Sequence, residues 1–245
     1  MAERYHVAGI DLDYESINFG SMPAKETVRR LYPVFVRELE GRLQSKNKLL
    51  SVTVASRTSV TDPNWMVYDY VALGEAADRI RIMTYDYHWG GGSPGPIAPK
   101  WWVDRVLSFA TQQIDPSKIS FGLPAYGRDW FVKAVSGHCP ATAHNTVSRS
   151  TRDMQNFADQ LGVTPRWSDQ GTSQTFTYVR TYSSGGNTCR AKREVWFDDA
   201  HSVAEKIQLV QTHQVRGVAM WALGYETQLM WNRLHAFGQQ IVDGG

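Results

Sequence analysis

The chain has 245 residues, 42% of them hydrophobic, and a formal net charge of +2. That size and composition support a full core and exclude intrinsic disorder. The near-neutral balance gives no electrostatic case for nucleic acid or an anionic membrane as partner, and no stretch reaches the roughly 18 consecutive apolar residues of a transmembrane helix.

The first predicted element is a strand over 7–15, within which Asp11, Asp13 and Glu15 alternate with Ile10, Leu12 and Tyr14. Successive strand side chains point to opposite faces, so the three acids share one face. Crowded carboxylates raise at least one pKa, and a proton held near neutral pH is what a general acid needs. The alternative is a solvated acidic face on a surface strand. The preceding run, Tyr5-His6-Val7-Ala8-Gly9-Ile10, reads as too apolar for that.

An amphipathic helix follows over 24–45, with Leu31, Val34, Phe35 and Leu39 on one face. Then come a strand at 49–55, a helix at 65–77 and a strand at 80–87. Gly90-Gly91-Gly92-Ser93-Pro94-Gly95-Pro96 is a loop on composition. A helix at 99–113, a strand at 119–126, a helix at 200–213, a strand at 217–223 and a helix at 227–241 complete the series. Strands and helices at this rhythm mean parallel βα units and an α/β fold. The interruption, 128–194, holds a strand at Tyr178–Tyr182 and a hairpin-like Ser183-Ser184-Gly185-Gly186-Asn187, and reads as a small α+β insertion. No Gly-rich fingerprint follows any strand, which argues against a dinucleotide fold.

The chain carries 9 Trp and 11 Tyr. Sugar rings have apolar faces that stack on such side chains, so the excess is compatible with a carbohydrate site. The two cysteines, Cys139 and Cys189, lie in a Ser-, Thr- and Gly-rich stretch without metal-ligand spacing. They read either as a disulfide, which would place the protein outside the cytoplasm, or as two free thiols. His88 has no ligand partners at metal spacing, so neither a metal nor a cofactor is expected.

Five ordered motifs then resemble one family. They are Gly9-Ile10-Asp11-Leu12-Asp13-Tyr14-Glu15, Met83-Thr84-Tyr85-Asp86, Gly122-Leu123-Pro124-Ala125-Tyr126-Gly127-Arg128, Trp196-Phe197-Asp198-Asp199 and Trp221-Ala222-Leu223-Gly224. Together they resemble the family 18 glycoside hydrolases, a group of chitinases, endo-β-N-acetylglucosaminidases and cell-wall or spore-cortex hydrolases. The resemblance implies a (β/α)8 barrel of TIM type with an α+β insertion. The five strands above would be its fourth to eighth, leaving an incomplete barrel without the first three βα units. Residues 1–127 and 195–245 would form the barrel portion and 128–194 the insertion. Where the family has a further acid at the head of its motif, this chain has Ala8.

The implied reaction is retaining hydrolysis of β-1,4 bonds in N-acetylglucosamine polymers such as chitin, assisted by the substrate's acetamido group. Glu15 would be the general acid, then base. Asp13 would orient the acetamido group and Asp11 share its proton. Tyr85 would donate to the acetamido oxygen. Asp86 and Arg128 would hold sugar hydroxyls, Trp221 would form the floor under the cleaved sugar, and Met83 and Tyr126 would line the site. Trp89 would stack a leaving-side sugar or anchor its loop. Glu226 reads equally as a substrate ligand or a helix cap. The alternatives are a peptidoglycan or spore-cortex N-acetylglucosaminidase and a non-catalytic lectin-like fragment. The expected partner is an N-acetylglucosamine-containing polysaccharide, with a homodimer through the open barrel edge possible. The expected location is secreted or cell-envelope, although Met1-Ala2-Glu3-Arg4-Tyr5-His6 is not a signal peptide.

Overall fold

A computed structural model describes residues 2–62 and 65–243. The chain divides into two compact units. One comprises Met1–Thr84, Val103–Gly122 and Leu209–Ala219; the other comprises Tyr85–Trp102, Leu123–Gln208 and Met220–Gly245.

The first unit is built on parallel β-structure. β1 (Gly9–Leu12), α1 (Met22–Gln44), β2 (Leu49–Ala55), α2 (Tyr70–Ala76), β3 (Arg79–Met83), α3 (Lys100–Ala110) and β4 (Ile119–Pro124) follow one another. β1, β2, β3 and β4 pair in parallel in that order. β2 is buried almost throughout, as a parallel strand covered on both faces must be, and so reads as the unbroken run Leu-Leu-Ser-Val-Thr-Val-Ala. Leu50, Val52, Val54, Ile80, Ile82, Ile119 and Phe121 form its fully buried centre. β1 lies at the sheet edge and needs glycine at its start, because a Cβ on Gly9 would stand 2.2 Å from the Leu49 carbonyl oxygen.

Four sequence expectations change here. The first strand ends at Leu12, so Asp11 lies on it while Asp13 and Glu15 lie beyond it. The run from Glu3 to Ala8 is exposed rather than buried. On α1, Tyr32, Pro33, Val36 and Leu43 are buried, whereas Leu31, Val34 and Phe35 are exposed and Leu39 is half-buried. The helix carries apolar residues on two faces, and the first is the one that becomes buried. The helix expected over 65–77 begins at Tyr70 because the Asp69 carboxylate caps it, accepting from the Ala72 N–H at 3.2 Å.

The second unit holds a five-stranded antiparallel sheet: β5 (Tyr126–Ser136), β6 (Val147–Ser150), α4 (Thr151–Gln160), β7 (Arg166–Ser168), β8 (Ser173–Ser184) and β9 (Asn187–Phe197), with strand order β6-β5-β9-β8-β7. The expected hairpin is present. Gly185 and Gly186 take φ of 58° and 81°, the left-handed turn that suits the twist of the flanking strands. α4 lays Met154, Phe157 and Ala158 on Phe176, Tyr178, Val195 and Phe197. Cys139 and Cys189 form a disulfide, their Cα atoms 5.0 Å apart, in a cluster with Ala143 and Ala191.

Two buried ion pairs brace this unit. Asp129 accepts from Arg193 Nε and the Tyr178 hydroxyl, each at 2.7 Å, while Arg193 also donates to the carbonyls of Asp129, Ala143 and Asn145. Asp198 pairs with Lys206 and accepts from Ser173 Oγ at 3.1 Å; both charges are essentially solvent-free. Lys206 belongs to α5 (Ala200–Ile207), which Asp199 opens with a capping box. α6 (Leu209–Thr212) and β10 (Gly217–Trp221) follow, and β10 joins the first sheet beside β4. The helix expected over 200–213 is therefore two helices. α7 (Gln228–Asp243) packs on α5.

Candidate active site

The motif acids lie where β1 ends. Asp11 projects from the strand: one carboxylate oxygen accepts from Thr53 Oγ1 of β2 at 2.7 Å, and the other is 3.8 Å from Arg81 Nε of β3. Neighbouring parallel strands thus hold this carboxylate from one side. At Leu12 the chain leaves the sheet, and Glu15 takes helical dihedrals at the head of a 3-10 turn, Ser16–Asn18.

Tyr14, between Asp13 and Glu15, is the anchor of the segment. Its carbonyl accepts from the Tyr68 hydroxyl at 2.8 Å, and its ring packs on Tyr32 and Phe35 of α1. Capture of Tyr14 by these rings explains why the alternating strand stops short. Burial, then the charge of Asp11, raises the Asp13 carboxyl above its ordinary range. Burial, then the charges of Glu15 and Asp13, pushes the Tyr68 hydroxyl far up, so it stays protonated and keeps donating.

Thr53, Tyr68 and Arg81 were not identified from the sequence as site residues. Strand periodicity could have found Thr53 and Arg81, since Thr53 pairs with Arg81 in the register that sets Ser51 beside Asp11. Nothing local marks Tyr68, which reaches Tyr14 across 54 residues of sequence.

In the second unit a different cluster follows the end of β3. The strand expected to run to residue 87 stops at Met83, and Asp86 beyond it takes a positive φ of 59°. Its Oδ1 accepts from the Tyr126 hydroxyl at 2.5 Å, and both its carboxylate oxygens accept from Arg128 Nη2 at 2.7 Å. Burial, then the Asp86 charge, drives the Tyr126 hydroxyl far up, so it remains a donor. Tyr85 meets the Tyr126 ring edge-on at 6.2 Å. The structure therefore assembles Asp86, Tyr126, Arg128 and Tyr85 into one group. Met83 closes β3, and its carbonyl accepts from Ser56 Oγ.

The glycine-rich loop is held at several points. Trp130 Nε1 donates to the Trp89 carbonyl and Thr146 Oγ1 to that of Gly90. A Cβ on Gly91 would lie 2.3 Å from the Trp89 ring, so the indole packs closely on its own loop. Trp89 is nevertheless 59% exposed as a residue, and Trp221 is 54% exposed at the end of β10, its carbonyl tied to the Ala125 N–H. Exposed indoles on fixed backbone are surfaces on which a sugar ring stacks. Glu226 accepts from Trp231 Nε1 of α7 at 2.8 Å, which favours the helix-end reading. Among the described residues no group of three or more His, Cys, Asp or Glu could hold a metal ion, and no helix is long and apolar enough to cross a membrane.

The family model for glycosyl hydrolases family 18 matches residues 1–226. The chain belongs to glycosyl hydrolase family 18. Among its relatives, a cortical fragment-lytic enzyme of Bacillus anthracis is 32% identical over 235 residues, covering 95% of this chain and 50% of that protein. Among solved structures, a chitinase from Chromobacterium violaceum matches with a TM-score of 0.80 at 28% identity, over 98% of this chain and 68% of that one. The Bacillus cereus spore cortex-lytic enzyme SleL matches with a TM-score of 0.79 at 29% identity, over 96% of this chain and 50% of that one. The parallel sheet with its antiparallel companion thus resembles family 18 chitinase folds. The chain spans about half the length of the cortical fragment-lytic enzymes it matches.

Proposed function

We propose that this family 18 chain hydrolyses β-1,4 bonds in N-acetylglucosamine polymers by an acetamido-assisted, retaining route. The observation that carries this reading is the end of β1. There Asp13 holds its proton above the ordinary carboxyl range, beside the fixed carboxylate of Asp11 and two residues before Glu15. Glu15 protonates the leaving oxygen and then activates water. Asp13 accepts from the acetamido N–H and stabilises the positive ring-closed intermediate, while Asp11 shares its proton. Tyr85 donates to the acetamido oxygen, Asp86 and Arg128 hold sugar hydroxyls, Met83 and Tyr126 line the site, and Trp221 and Trp89 are stacking platforms. The strands of the parallel sheet correspond on this reading to the fourth to eighth of a (β/α)8 barrel, with 128–194 as its insertion and a secreted or envelope location.

The test is release of fluorophore from methylumbelliferyl N-acetylchitobioside and N-acetylchitotrioside. Glu15→Gln keeps the shape and removes only the acid. It should cut turnover at least a hundredfold with unfolding stability unchanged, in line with the ~10²–10⁴-fold contribution of general acid catalysis. A variant that keeps more than about a tenth of activity refutes the assignment of Glu15.

A further inference from the structure

Two open depressions on the second unit share Arg149 and Asp153. The smaller, about 330 Å³, is also lined by Arg152, Gly224 and Tyr225. The larger, about 600 Å³, runs on past Asn156, Phe157 and Gln160 of α4 to Arg180 of β8. The groove therefore starts at the segment just after Trp221 and carries three arginines against one aspartate.

These three arginines, like several others on the chain, have no fixed counter-charge among the described residues; what distinguishes them is that they line one groove. Arg128 and Arg193 are tied to carboxylates, and Arg57 to three backbone carbonyls. Arg149, Arg152 and Arg180 make no ion pair among the described residues. Arg149 is half-buried, lies 4.6 Å over the Phe157 ring, and has a buried Nε that meets no hydrogen-bond partner among the described residues. A partly desolvated guanidinium without a counter-charge is unfavourable, and its fork geometry matches a carboxylate. Arg152 spends one nitrogen on the Gly224 carbonyl and keeps its other donors. Asp153, Asn156, Phe157 and Gln160 recur at helical spacing, so acceptors, amides and an apolar ring run along the same face. Such a surface suits an extended chain that carries carboxylates and amides.

We propose that this groove binds carboxylates borne by the glycan substrate, on either the lactyl ethers or the stem peptides of a muramic-acid-containing strand. Uncharged chitin offers it no partner. The link from groove to glycan rests on the glycosidase reading above, whereas binding in the groove is measurable without turnover.

The experiment is calorimetric titration of the whole chain carrying Glu15→Gln, with three probes of matched length. These are an N-acetylglucosamine oligomer, an alternating N-acetylglucosamine–N-acetylmuramic acid strand stripped of peptide, and the same strand with its peptides. At low salt at least one carboxylate-bearing strand should bind about tenfold tighter than the uncharged oligomer, and the preference should shrink as salt screens it. Preference for the stripped strand alone assigns the lactyl carboxylate, which the amide bond to the stem consumes in the other probe; preference for the peptide-bearing strand alone assigns the stem, and equal affinity of the two means that a carboxylate at either place suffices. Arg149→Gln should cost the charged strand about tenfold, a charge-assisted hydrogen bond's worth, with less than a twofold change for the uncharged oligomer. Arg180→Gln, at an exposed position, serves as the second variant and should act in the same direction. Equal binding of all three probes, or a preference that survives in both folded variants, overturns the proposal. Hydrolysis of the uncharged oligomer by the unmodified chain is scored separately, so failure of the groove and failure of Glu15 cannot be confused.

Discussion

Lys206→Met is the sharpest test of how the second unit is held together. Lys206 and Asp198 are both solvent-free, so the substitution leaves a carboxylate in the interior with Ser173 Oγ as its one remaining side-chain donor among the described residues. Removing one partner of a buried pair costs about 3–5 kcal/mol, a large share of a typical ~5–15 kcal/mol stability. At about 2–4 °C per kcal/mol for a chain of this size, the melting temperature should fall by roughly 6–20 °C. Asp198 has one escape, which is to take up a proton. Burial already pushes its carboxyl up, and removal of the ammonium pushes it further. The sign follows from linkage. A carboxyl whose folded pKa is raised binds its proton more tightly in the native state, so its contribution is fully present below the unfolded value and is lost as pH rises through the folded one. The deficit of Lys206→Met should therefore widen from about pH 4 upward, by at most ~1.4 kcal/mol per pH unit. The double variant Lys206→Met/Asp198→Asn keeps an acceptor for Ser173 without a charge and should return to within about 1 kcal/mol of the parent. Urea unfolding followed by circular dichroism at several pH values measures all three. A single-variant loss under about 1 kcal/mol at pH 7, or one that does not change with pH, would refute the reasoning. The result also bears on the arginine groove, because the Asp198 carbonyl holds Thr151 Oγ1 at the start of α4.

Two further outcomes follow from the same structure. Asp13 also has a raised carboxyl, caused by burial and then by Asp11, so it weakens the native state as pH rises from about 4 through its folded value. Asp13→Asn, which mimics the protonated form, should gain stability relative to the parent between pH 4 and pH 7, and a parallel pair of pH–stability curves would contradict the shift. Replacing Cys139 and Cys189 with serine opens a link across 50 residues and should cost about 4 kcal/mol in the chain-entropy account. Denaturant midpoints compared with and without reductant measure it, and a loss under about 1 kcal/mol would place the stability of this region elsewhere.

Short-range pattern was enough for the parallel strands, the Gly185-Gly186 hairpin and the order of the motifs. A buried parallel strand must be apolar along its whole length, and a tight hairpin needs glycine at positive φ, so both leave marks within a few residues. The alternation of Asp11, Asp13 and Glu15 was legible in the same local way, whereas Asp86, Tyr126 and Arg128 entered only through the family resemblance and are joined by hydrogen bonds across 40 and 42 residues. Tertiary structure decided what depends on partners distant in sequence. It cut the first strand at Leu12 because Tyr68 and the rings of α1 capture Tyr14. It chose Tyr32, Val36 and Leu43 over Leu31, Val34 and Phe35 as the buried face of α1, a choice that periodicity leaves open when two faces are apolar. It also brought Thr53 and Arg81 to Asp11, and Arg149, Arg152 and Arg180 to a single groove. Charge and hydrogen bonding act through space, and an isolated arginine in a sequence carries no record of whether a carboxylate will meet it.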